Sequence, residues 1–276
     1  MILRWTLRSF LESPFAVAGS AAAVAAALAL VMLFEGIWQG EAKQVVAYAE
    51  NVDADVWVMQ HGVANMHMAT SLIPDDRRAD VSEVQGVVDV APILYLNTLV
   101  TAGERQAFSY VVGITEFAPR GGPWSIARGR HTVRPGEAII PEVLASLSGI
   151  DLAGRVRIAD RWFDVVGLSR GTYSMANPVT FVHATDLADL MSIQGYDSYL
   201  LVRTASGASP RDVARRIEQT VEGVSALTRT DFVESDRRMA MQMGVEIIQL
   251  ITTIGRALAA ILVAFTPTRS PSRPTC

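Results

Sequence analysis

Cysteine is almost absent from this chain of 276 residues: its single thiol is Cys276, at the last position. An intramolecular disulfide and a cysteine-based zinc site are therefore excluded. Nor is this a prenylation box, whose thiol stands fourth from the end. There is no GxxxxGK(S/T) phosphate loop, GxGxxG fingerprint, HExxH pair or GxSxG elbow, so no recognisable ATP, dinucleotide, zinc-protease or serine-hydrolase site is encoded. None of the four histidines, His61, His67, His131 and His183, has a context that marks the base of a nucleophile. No basic stripe interleaved with aromatics appears, and 24 basic against 28 acidic residues leave a net charge of -4, which argues against nucleic acid as a partner. Internal repeats and low-complexity segments are missing too.

What the chain does have is a long uncharged run. Phe15 to Phe34 reads FAVAGSAAAVAAALALVMLF, the length a helix needs to cross a hydrocarbon core of about 30 Å. A second apolar stretch, Val245 to Phe265, carries Glu246 near its start and Arg256 at its middle. A central arginine costs about 2.5–3.5 kcal/mol on insertion scales, so this stretch reads as a span that needs helix partners. Arg4 and Arg8 precede the first run and Arg269 and Arg273 follow the second, which places both termini in the cytoplasm. The expected organisation is a cytoplasmic interfacial segment (1–13), a first membrane helix (14–37), an exoplasmic domain with helical stalks (38–244), a second membrane helix (245–265) and a short cytoplasmic tail (266–276). A cleaved signal peptide is the competing reading. The apolar core exceeds the usual length of about 7–15 residues, ends in bulky Met32, Leu33 and Phe34, and lies several residues before the small residues at Gly40 and Ala42, all of which favour a retained anchor.

Between the apolar ends, the pattern predicts an α+β domain of one or two subdomains, with a mixed sheet, hairpins and covering helices. Glu41 to Asn51 has helical character and extends the first membrane helix as a stalk; Phe232 to Gly244 forms the second stalk. Val56 and Val58, with Trp57 and Met59, suit a buried strand, and Asp89–Thr101 with Ala107–Ile114 form a hairpin across the turn at Ala102–Arg105. GEAIIPEVLASLSG gives a strand, then a helix stopped at Gly149; Val156 and Ile158, the Asp160–Arg161 turn and Trp162–Leu168 give a second hairpin. A short helix over His183–Met191 and a strand over Ser198–Arg203 follow. Ser209 caps a helix with Pro210 at its first position, and Val213, Ile217 and Val221 share one face.

The residues most suggestive of chemistry are Met59, His61, Met66, His67 and Met68, whose thioethers and imidazoles suit Cu(I) outside the cytoplasm. Met59 equally extends a buried strand, and Met66 and Met68 equally fill gaps in a core; that simpler reading is preferred. No catalytic residue, cofactor or metal is therefore expected. Asp75–Asp76 with Arg77–Arg78, and Asp236 with Arg237–Arg238, read as solvated charge pairs.

Four segments carry a resemblance: ADVWVMQHGVANMHM (Ala54–Met68), GEAIIP (Gly136–Pro141), GRVRIADRWFDVVGLSRGTYSMANP (Gly154–Pro178), and DRRMAMQMGVEIIQLITTIGRALAAILVAFT at the end. With its long N-terminal apolar run, the chain resembles MacB/FtsX-type ABC-transporter permeases, in particular the DevC-like branch. The resemblance implies a periplasmic core domain of MacB type between two membrane helices of the inner membrane. It further implies a permease homodimer, a separate cytoplasmic ABC ATPase as partner, and export or extraction of amphiphilic cargo, with a membrane-fusion adaptor and an outer-membrane channel as further partners. Such permeases continue through a cytoplasmic loop and two more helices, whereas here TPTRSPSRPTC ends the sequence, so a truncated or frameshifted form is expected. The alternative function is a membrane-tethered exoplasmic ligand-binding or sensor module without a transport role.

Overall fold

A computed structural model describes residues 14–66, 70–115, 120–175, 178–239, 241–242 and 253. The expected interfacial segment 1–13, the C-terminal tail and, apart from Thr253, the second apolar run lie outside the described residues. The chain divides into one unit of Met1–Gly40 with Met241–Cys276 and another of Glu41–Ala240.

The first unit is described mainly through helix α1 (Pro14–Val45). It is long and apolar enough to cross a membrane by length and composition, the only such helix among the described residues. Leu28, Leu30, Val31, Met32, Leu33, Phe34 and Ile37 are all exposed. Seven large apolar side chains within ten residues of one helix cover more than one face, and water is a poor solvent for such a surface; lipid is a good one.

The second unit is a mixed α+β body, as the alternation of patterns foretold. Strand β1 (Val56–Gln60) lies between β12 (Val224–Thr228) and β11 (Tyr199–Thr204), antiparallel to both. β11 in turn pairs with the first half of β3 (Val87–Ala102). One face of this layer presents Val56, Val58, Leu200 and Val202 to helices α3 (Arg77–Ser82) and α6 (Pro210–Thr220). Ser209 caps α6 by accepting the Asp212 N–H at 3.3 Å, and Val213, Ile217 and Val221 are buried as their spacing requires. Strand β12 has β1 as its ladder partner, and Glu218 on α6 accepts the Ala226 N–H at 2.9 Å, which occupies a donor that would otherwise invite another strand.

The second half of β3 does something that its sequence did not announce. It pairs with β4 (Arg105–Ile114) on one side and β7 (Arg155–Ile158) on the other. β4 pairs parallel with β9 (Val179–His183), β9 with β6 (Glu137–Pro141), β6 parallel with β8 (Arg161–Ser169), and β8 with β7. The six strands thus close into a ring, a small barrel without free edges around that circuit. Short β5 (Ile126–Gly129) lies against the other end of β8, while β2 (Ile73–Pro74) and β10 (Tyr196–Asp197) form a separate pair. Val100, Val111, Ile140, Val156, Ile158, Phe163 and Val182 fill the barrel core with Leu144 of α4 (Glu142–Ser148) and Leu187 of α5 (Ala184–Met191). Gly113 permits the approach of α5, since a Cβ there would lie 3.1 Å from the Ala184 Cα.

One of the expected surface charges, Arg78, turns to a buried partner instead. Arg78 donates to both carboxylate oxygens of Asp197, at 2.5 and 2.7 Å, tying α3 to β10. Burial pushes the Asp197 carboxyl up, and Arg78 draws it part of the way back. Removing hydrogen bonds to a charged group costs about 1.5–3 kcal/mol, so Arg78→Ala should cost roughly 1–2 kcal/mol at pH 7, the reduction reflecting partial solvent access. Asp197 binds a proton more readily folded than unfolded, so its contribution is greatest below about pH 3.9 and falls as pH rises through the folded value. Without Arg78 that fall deepens. The stability difference between variant and wild type, from thermal unfolding of the full chain in detergent, should therefore grow from pH 4 to pH 7; a difference that shrinks would contradict the pairing.

Candidate functional site

The functional question is where the segments that lead to the apolar ends meet the folded domain. α1 gives way at Val46 to α2 (Ala47–Asn51), and a further helix, α7 (229–239), follows β12. Thr228 starts α7: its hydroxyl accepts the Asp231 N–H at 3.1 Å and donates to the Asp231 carboxylate at 2.8 Å.

Both helices insert an aromatic side chain into the same core. Phe232 of α7 stacks on Trp57 of β1, with ring centroids 4.4 Å apart and planes 9° from parallel. Tyr48 of α2 meets the same indole edge-on at 6.1 Å. From there ring contacts continue through Tyr199 on β11 to Tyr95 on β3 and Tyr110 on β4. Tyr48 also touches Phe181 of β9 and Trp124, and its hydroxyl donates to the Gly121 carbonyl at 2.8 Å. That glycine has φ of 88°, and a Cβ on it would fall 2.6 Å from Ile93, so only glycine fits beneath the tyrosine. Burial raises the phenols of Tyr48, Tyr95, Tyr110 and Tyr199 above the usual tyrosine range, which keeps them neutral rather than nucleophilic.

Polar contacts lock the same junction. Asp236, 1% exposed, accepts the Met66 N–H at 2.9 Å. Arg237 bridges α7 to α2 through Glu50 at 2.5 Å and reaches Glu234 at 3.6 Å. Here too the expectation of a solvated charge pair is corrected: Asp236 faces the core, because Phe232 and Asp236 lie one helical turn apart and share a face. Beside α2, Asp53, Asp89, Arg120 and Trp124 line a cleft of about 590 Å³. Arg120 pairs with Asp89 and approaches Asp53 at 3.8 Å, and Arg203 reaches Asp53 at 3.5 Å.

Three of the five residues suited to copper are described. Met59 and Met66 are buried in the aromatic core, while His61 is exposed and holds Gly223 through its backbone N–H at 2.9 Å. His67 and Met68 lie outside the described residues. Among the described residues no group of three or more His, Cys, Asp or Glu side chains suits a metal ion. Sequence reasoning did not pick out Tyr48 and Phe232; their only signal is an aromatic in each stalk segment, without a motif. The assembled junction of rings, aliphatics and ion pairs joins both helices to the sheet.

Residues 15–220 match the family model described as the MacB-like periplasmic core domain. No curated protein matches the chain. Among solved structures, the periplasmic region of MacB from Actinobacillus actinomycetemcomitans is similar at 10% identity and a TM-score of 0.49, over 67% of this chain and 94% of that one. The extracellular domain of YknZ, a noncanonic ABC-type transporter from Gram-positive bacteria, is similar at 14% identity and a TM-score of 0.46, over 63% of this chain and 98% of that one.

Proposed function

Because the chain belongs to the MacB-like periplasmic core domain family, that of MacB-type ABC-transporter permeases, we propose that it is the membrane-spanning subunit of such a transporter and couples ATP hydrolysis by a separate cytoplasmic ATPase to export or extraction of amphiphilic cargo. In this reading residues 1–13 lie at the cytoplasmic face of the inner membrane, α1 and residues 245–265 cross it, and Glu41–Ala240 works on the periplasmic side. The subunit is non-catalytic and pairs with a second copy, with a membrane-fusion adaptor and an outer-membrane channel as further partners.

The observation that carries this reading is the convergence of α2 and α7 on Trp57. A displacement of either helix along its axis reaches the sheet through close-packed rings, which transmit strain because protein interiors compress little. The cleft beside Arg120 favours a second reading, a tethered ligand-binding module. Affinity isolation of the full chain from native membranes separates the two. A nucleotide-hydrolysing subunit is expected to co-purify; a bound small molecule with no ATPase would support the sensor instead.

A further inference from the structure

Pockets for small ligands run from about 300 to 1,000 Å³, and the cleft beside α2, at about 590 Å³, falls within that range. Its walls say what would fill it. The side chains of Asp53 and Asp89 are 70% and 48% exposed, whereas Arg120, which pairs with both, is 19% exposed. The negative ends of these ion pairs are therefore within reach of a ligand, and the positive end is set back. Arg120 and Arg203 both approach Asp53 through its Oδ2, at 3.8 and 3.5 Å, and Arg120 meets Asp89 through Oδ2 as well. The Oδ1 of each carboxylate is left without a donor among the described residues. Arg203 does not itself line the cleft. Val52, Val90 and Pro123 supply aliphatic surface, and the partly buried Trp124 supplies a ring.

We propose that this cleft binds a small organic cation, an ammonium group on an apolar body. The ammonium takes the two free carboxylate oxygens of Asp53 and Asp89, and the body lies against Trp124 and Pro123, an indole face being a favourable neighbour for positive charge. An anion of the same size would meet two exposed carboxylates, and a neutral molecule would leave their charge unanswered. A bare metal ion is a poorer occupant, because no group of three or more His, Cys, Asp or Glu among the described residues suits one. The site also adjoins the helix junction. Asn51, the last residue of α2, lines it, and so does Gly121, whose carbonyl accepts the Tyr48 hydroxyl at 2.8 Å. The proposal rests on the ligand-binding reading of the cleft and gives its ligand a chemical class. Co-purification of an ATPase bears on transport, whereas the titrations below bear on the cleft alone.

The test titrates the full chain in detergent micelles with 4-phenylbutylammonium by calorimetry, with empty micelles as the blank. Its dissociation constant should lie below about 1 mM. Binding should be at least about tenfold tighter than that of 4-phenylbutanoate, which carries the opposite charge, and than that of methylammonium, which lacks the apolar body. Raising salt from about 0.05 to 0.3 M should weaken it. Asp53→Asn should weaken the cation about threefold, and Asp53→Asn with Asp89→Asn, which leaves Arg120 unopposed, should reverse the preference so that the carboxylate binds more tightly. A merely structural role for the two aspartates would lower both affinities alike. Trp124→Leu should cost the cation about threefold. With the probe bound, amide exchange should slow across 48–54 and 120–124 more than in the barrel strands. Thermal unfolding checks that each variant folds; Asp53→Asn, at an exposed side chain, carries the test should the double variant unfold. Equal affinity for the two charges, cation binding unchanged by Asp53→Asn, exchange that slows only away from the cleft, or no saturable binding overturns the proposal.

Discussion

Phe232→Ala is expected to destabilise the domain by about 3–5 kcal/mol, the usual cost of removing a fully buried phenylalanine. The position has little room to collapse around the cavity, because the lost ring is held between Trp57, stacked at 4.4 Å, and Tyr199 at 6.0 Å. For a body of this size the melting temperature should fall by on the order of 10 °C. A structural consequence separates this variant from an ordinary core deletion. Without the stacked ring, α7 loses its one large aromatic anchor and keeps Val233, Asp236, the Arg237–Glu50 bridge, the Arg229 N–H to the Asp55 carbonyl and the Arg211–Asp231 pair, so hydrogen exchange across 229–239 should accelerate more than exchange in the barrel strands. Phe232→Leu, which retains part of the apolar volume, should lose less. Trp162→Ala, exposed on the outside of β8, should stay within about 0.5 kcal/mol of wild type. If Phe232→Ala and Trp162→Ala cost the same, or if exchange rises uniformly, the junction does not hold α7 and the coupling role proposed for it fails.

The second large effect concerns the membrane. Leu30 and Leu33 are exposed on α1, within its continuous apolar surface. Replacing both with arginine adds about 2.5–3.5 kcal/mol each on insertion scales, together roughly 5–7 kcal/mol against crossing. The double variant should fail to carry Glu41–Ala240 across the bilayer. Protease added outside spheroplasts should digest the wild-type domain and spare the variant's, with at least about a tenfold difference, well inside what a cost of roughly 5–7 kcal/mol allows since each 1.4 kcal/mol is about tenfold. Equal digestion of the two would show that α1 does not deliver the domain.

Local signals made much of the fold legible. Ser209 with Pro210 marked the start of α6, Gly149 its φ of 68° at the end of α4, and the β3–β4 and β7–β8 hairpins followed from alternation around short turns. Closure of the barrel was not legible. It depends on β9 joining β4 in parallel and on β7 reaching back to β3, pairings between distant segments on which alternation is silent. The parallel strands are also short: five residues in β6 and five in β9, too few for a periodicity of their own.

The junction was legible only in part. The helical character of Glu41–Asn51 was foreseen, and α1 and α2 occupy that segment. Asp236 and Arg78 misled, because adjacent charges look alike whether they meet water or a buried partner, and burial depends on which face of a short helix the fold turns inward. Met59 and Met66 point the other way. A spacing that suits soft-metal ligation is filled at Met59 and Met66 by core residues, while His61 stands in solvent and His67 and Met68 lie outside the described residues.

The central claim is that Glu41–Ala240 is an extracytoplasmic working part carried by a membrane-embedded permease. Glu104, exposed in the β3–β4 turn, offers a direct probe. In a Cys276→Ser background, Glu104→Cys should react with a membrane-impermeant maleimide on intact spheroplasts as fully as after lysis. Reaction only after lysis would place the domain in the cytoplasm and contradict the account.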